Sequence, residues 1–171
     1  MPEAGPAEPK AEPASHRNLL HLVVVNFSSV SQFYKDKIEK DLEHFNADTP
    51  PLIKKQIEEG IMLCAYKLEY NAFDLIDQLQ GVMKYLPADQ KIGVTLHTGV
   101  IHKAESNLTG EALDTAIELN KLSLAGVIVS EFSAALLALQ VNKYAMDYAG
   151  TIVTKPGKKY SIYRVSMATK K

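Results

Sequence analysis

The sequence predicts an α+β fold: a βαββαβ core of the ferredoxin-like type with an extra helix and a C-terminal hairpin, its mostly antiparallel sheet packed by helices. Three observations predict it. Residues 18–27, "NLLHLVVVNF", are a nearly continuous, β-branched apolar run, as in a strand buried on both faces. Apolar residues then recur at helical spacing over 30–46 and again over 71–86. The chain closes with "YAGTIVT" and "KYSIYRVS" around a Pro-Gly turn at 156–157, a terminal hairpin.

Taken in order, the segment 30–46 is a helix whose core positions are Val30, Phe33, Ile38, Leu42 and Phe45, and "TPP" at 49–51 ends it. Residues 52–70 read as two strands joined by a tight turn at Glu59-Gly60. The helix over 71–86 has Phe73, Ile76, Leu79, Val82, Met83 and Leu86 as its core stripe, and Pro87 stops it. Residues 91–103 alternate with period two. Ile92, Val94, Leu96 and Val100 face one way, and Gly93, Thr95, His97 and Gly99 the other. "GEALDTAIELNKLSLAGVIVSE", 110–131, is an amphipathic helix running into the buried strand 125–130. Leu113, Ala116, Ile117 and Leu124 lie inward; Glu111, Asp114, Glu118 and Lys121 lie opposite. A last helix spans 131–140, ahead of the hairpin.

The bulk numbers exclude several classes. A chain of 171 residues with 46% hydrophobic and 23% charged residues fits one soluble globular domain. A net charge of −1 gives no electrostatic basis for general nucleic-acid binding. No apolar run approaches the roughly 20 residues needed to span a bilayer, and no signal peptide is present, so the expected compartment is the cytoplasm. Residues 1–17 hold four of the eight prolines and three glutamates and read as a disordered leader. The domain is expected over 18–168. The single Cys64 rules out an internal disulfide and reads as a small buried hydrophobe.

Four strings, in order, resemble one family. "VVVNFSSVSQF" at the first strand, "KIGVTLHTGVI" at 91–101, "LTGEALDTAIELNKLSLAGVIVSE" at 108–131 and "TKPGKKYSIYRV" at 154–165 resemble segments of the class III nucleotidyl cyclases, the adenylate and guanylate cyclase catalytic domains. The resemblance covers about residues 18–166, and the block 93–131 is its most specific part. It implies an enzyme fold whose site forms at a dimer interface. Two aspartates there hold two divalent metals on a nucleoside triphosphate, while an asparagine and an arginine stabilise the transition state.

The family's functional residues do not carry over. The first metal aspartate aligns with Ser29 and the second with Ile61; an isoleucine cannot ligate a hard cation. A shift that recruited Glu58 or Glu59 would still leave Ser29. The asparagine and arginine positions hold Asp114 and Glu118, two like charges one helical turn apart. Facing a triphosphate, an anion adds repulsion where the family supplies a cation. Of the two base-selecting positions, Lys55 falls where the lysine would but reads rather as an exposed strand lysine, and Asn107 stands at the aspartate position. Both halves of the shared site are gone.

No other motif supplies chemistry. His97 and His102 point to opposite faces of one strand, His21 reads as a hydrogen-bonded core histidine, and His16 and His44 have no ligand-like spacing. Phosphate-binding glycine loops and nucleophile elbows are absent. "KPGKK" reads as a solvated hairpin tip, and Tyr144, Tyr148, Tyr160 and Tyr163 as sheet-packing aromatics. The expectation is a catalytically inactive cyclase-homology domain, without cofactor, that acts in signalling as a homodimer or in a heterodimer with a signalling protein. The alternatives are a small-molecule or nucleotide sensor using the old cleft, and an enzyme with a relocated site.

Overall fold

The computed structural model describes residues 15–68, 72–104, 107–122, 125–139, 143–154 and 157–167. The elements run β1 (Ser15–Asn26), α1 (Gln32–Asp48), β2 (Ile53–Glu58), β3 (Ile61–Lys67), α2 (Phe73–Met83), β4 (Gly93–Ala104), β5 (Asn107–Thr109), α3 (Glu111–Asn120), β6 (Gly126–Ser130), α4 (Glu131–Ala138), β7 (Tyr144–Val153) and β8 (Lys159–Met167). This is the predicted α+β order with one addition. The three-residue β5 pairs antiparallel with the end of β4, too short to show any periodicity in sequence. The leader residues 1–14, Leu124 and Pro156 lie outside the described residues.

The sheet order is β2-β3-β1-β4-β6-β8-β7, with β5 on β4. Among the described residues only the β4–β6 pair is parallel. β1 sits between β3 and β4, and its apolar run is continuous because helices cover both faces of the sheet there. Its odd-numbered side, with Val23 and Val25, joins a core cluster with Ile38, Leu42, Ile76 and Leu79 of α1 and α2 and with Leu137 of α4. The even-numbered side, with Leu20, Leu22 and Val24, joins Ala112 and Ala116 of α3.

Three expected core assignments are corrected. Phe33 is 70% exposed, because the loop entering α1 sets the helix phase so that Ile38, Leu42 and Phe45 face the sheet and Phe33 does not. Val100 shares a face with Leu96 but is 41% exposed, since it borders an open crevice beside Phe132 at the start of α4. α3 buries Ala112, Thr115, Ala116, Leu119 and Asn120 most deeply, while Leu113 and Ile117 are half-buried and pack against the same cluster from its flank. Small residues face inward because α3 lies close on β4: a Cβ at Gly99 would sit 2.5 Å from Ala112 Cβ. The buried Cys64 and the His21 hydrogen bond are as expected. His21 Nδ1 lies 2.9 Å from Thr98 Oγ1, which lies 2.8 Å from Ser133 Oγ.

Candidate functional site

The two positions aligned with metal aspartates come together at one end of the sheet. Asn26 is opposite Ile61 in the β1–β3 register, and the Phe27 N–H donates to the Gly60 carbonyl at 2.7 Å. Gly60 takes φ +80°, and a side chain there would meet Ser28 Cα at 2.6 Å, so the β2–β3 turn packs directly on the loop after β1. Neither position offers an anionic ligand. Ser29 is exposed, and its hydroxyl donates to the Lys91 carbonyl at 3.0 Å. The Ile61 side chain packs, half-buried, against the apolar cluster under α3. Asn26 Oδ1 is occupied as well, accepting the Ser28 N–H at 3.0 Å and hydroxyl at 2.7 Å.

The two acids of α3 form a second group. Asp114 is exposed and Glu118 half-buried; both line an open concavity of about 520 Å³ with Ile117, Lys121 and Thr154. The hairpin closes one side of it. Lys158 Nζ lies 2.7 Å from Glu111 Oε2, and this ion pair holds the hairpin tip against the start of α3. Hydrogen bonding to Glu111, then its charge, raises the Lys158 pKa. Among the described residues no hydrogen bond or ion pair joins the Ser29–Ile61 end to the α3 acids, and no three His, Cys, Asp or Glu side chains converge to hold a metal. Lys55 is an exposed residue of edge strand β2, opposite Leu63. Asn107 opens β5, and its side chain lies outside the described residues.

α3 is fixed by a residue the sequence reading did not single out. Asn120, buried at the helix end, donates from Nδ2 towards the carbonyls of Val24 and Gly93 and the Thr95 hydroxyl at 3.2–3.3 Å. Its place four residues after Ala116, on the inward phase, was the available signal. A second pair was equally hidden: His97 Nδ1 lies 2.6 Å from Ser130 Oγ, both buried. The expected split of His97 and His102 between faces holds, with His97 under α3 and His102 half-exposed.

No protein-family model and no curated protein matches the chain. Solved structures do. The adenylyl cyclase CyaB from P. aeruginosa matches at 12% identity and TM-score 0.64, over 91% of this chain and 97% of that one. The adenylate/guanylate cyclase/hydrolase from Silicibacter pomeroyi matches at 14% identity and TM-score 0.67, over 88% of this chain and 97% of that one. The guanylate cyclase domain of RhGC from Catenaria anguillulae, in complex with GTP, matches at 12% identity and TM-score 0.62, over 90% of this chain and 100% of that one. Over almost its whole length, then, and at low identity, this chain has the fold of class III adenylyl and guanylyl cyclase catalytic domains.

Proposed function

We propose that this domain is catalytically inactive and acts in signalling by binding, as a homodimer or docked on a signalling protein through the surface its cyclase-like relatives use to pair. The observation that carries the reading is the chemistry at the four aligned positions. Ser29 and Ile61 supply no charge to a divalent cation, and Asp114 and Glu118 put two carboxylates where a triphosphate would need a cation. Two such anions at about 4 Å from a phosphate each cost on the order of 1–4 kcal/mol, depending on local dielectric. No helix among the described residues is long and apolar enough to cross a membrane.

A second reading is favoured by the concavity itself. About 520 Å³ beside Asp114, Glu118 and Ile117 has room for a small cationic or neutral ligand, which would make the domain a sensor without turnover.

The test is a titration of ATP and of GTP with Mg²⁺ or Mn²⁺ into the purified chain, followed by heteronuclear NMR, alongside sedimentation over a range of protein concentrations. The expected result is no specific shift at millimolar nucleotide and a mass that rises with concentration or on adding the partner. Specific shifts at Ser29, Lys55 and Asp114 without turnover would move the assignment to the sensor. Metal-dependent conversion of either nucleotide would overturn the inactive reading.

A further inference from the structure

A surface helix normally keeps charge on its outer side, and α4 does not. From Phe132 to Leu139, "FSAALLAL", it carries no charged residue, whereas α1 exposes Asp36, Lys37 and Lys40 and α3 exposes Glu111 and Asp114. α4 buries only Ser133, Ala134 and Leu137. Phe132, Ala135 and Leu139 recur at helical spacing on the other side and are exposed, Phe132 at 45% and Leu139 at 76%. The one acid, Glu131, is already engaged: its Oε1 accepts the Ser161 N–H at 2.9 Å.

The apolar surface continues onto the sheet. α4 lies along β8, tied to it by that Ser161 bond, with Leu136 and Tyr163 packed against the same core cluster. Residues opposite one another in a strand pair share a face, so Tyr148 and Val153 of β7 lie on the α4 side with their partners Tyr163 and Lys159. The Tyr148 and Tyr163 rings are 5.9 Å apart, yet Tyr148 remains 62% exposed and Val153 60%. α4 and β7 thus border one apolar groove. It lies on the sheet face of α1 and α2, while Ile61 and α3 belong to the opposite face.

The area and shape of this groove fit a second copy of the chain. Aromatic side chains carry roughly 150–250 Å² each and aliphatic ones somewhat less, so the four large residues and the alanines between them present on the order of 500 Å². Two such faces together would bury about 1,000 Å², the lower bound for a specific interface and well short of an obligate one. Along α4 the large residues Phe132 and Leu139 flank the small Ala135. A two-fold axis beside Ala135 therefore sets each Phe132 against Leu139 of the partner subunit and lets the two helices approach closely at the alanines. We infer that the groove between α4 and β7 is a reversible homodimer surface, in which α4 of a second copy lies antiparallel across α4 and between Tyr148 and Val153. The surface is separate from the α3 cleft, so it stands or fails independently of the inactive-cyclase reading.

The test is sedimentation equilibrium of the full chain, as wild type and as Ala135→Glu. Ala135 is exposed and glutamate is a good helix former, so the variant folds, which an unchanged Tm verifies. The wild type should self-associate with a dissociation constant on the order of 10–100 μM. Ala135→Glu sets two carboxylates against each other at the crossing and should weaken association at least about tenfold. Cross-linking locates the axis. The native Cys64 is buried, so Ala135→Cys should give an intermolecular disulfide under mild oxidation, while Tyr85→Cys, exposed beyond the end of α2, should remain a single chain. A wild type that stays monomeric would give the groove to a different protein and overturn self-pairing. A mass rise that Ala135→Glu leaves unchanged, or an Ala135→Cys chain that links no faster than Tyr85→Cys, would place the pairing on another surface and overturn it as well.

Discussion

Asp114 and Glu118 share one flank of α3, and their mutual repulsion is a small standing cost to the helix. Replacing Glu118 by Gln should raise stability by about 0.2–0.5 kcal/mol, read as a slightly higher Tm. The buried histidines act in the opposite sense and with larger magnitude. Desolvation pushes His21 and His97 down from 6.5 to about 4. The unfolded chain takes up protons near pH 6.5 and the folded chain only near pH 4, so stability is lost as pH falls through that window. Each ring contributes up to about 3 kcal/mol there. Urea unfolding at pH 7 and at pH 4.5 should show the loss, and His21→Gln should flatten it; an unchanged slope would mean that His21 titrates normally.

At the scale of elements, the close approach of α3 to β4 is what brings Asp114 and Glu118 to the hairpin. Gly99 permits that approach, and Asn120 anchors the helix end to the β1 and β4 backbones. Asn120→Ala removes the donor serving those carbonyls and should cost about 1–3 kcal/mol. Gly99→Ala places a Cβ 2.5 Å from Ala112 Cβ. It should destabilise by about 1–3 kcal/mol through overpacking, with part of the loss restored by Ala112→Gly. Denaturant melts of the three variants decide both expectations. The helix edges were less legible than the helices themselves. Periodicity finds that a helix is present, but neighbouring side chains choose its phase, which is why Phe33 was misplaced and Ala112 overlooked as a contact.

For the whole molecule, β1 and β4 lie at the centre of one sheet, with core on both faces, so the cluster under α1, α2 and α4 and the cluster under α3 share their strands. Their unfolding should be coupled into one cooperative transition. Amide exchange should be slowest at Val23, Val24 and Leu96 and faster along β2 and β7, which are the edge strands among the described residues. Two unfolding steps, or protection equal at edge and centre, would contradict that coupling.

The sequence by itself determined the element order, the buried first strand, the terminal hairpin and the side-chain chemistry present at Ser29, Ile61, Asp114 and Glu118, because each of these rests on local periodicity or on a single side chain. Tertiary structure decided what depends on approach between distant segments. It joined Phe27 to Gly60, seated α3 on Gly99, and set Glu111 against Lys158. It also set His97 Nδ1 against Ser130 Oγ, a pairing of β4 with the end of β6 that no spacing along the chain encodes.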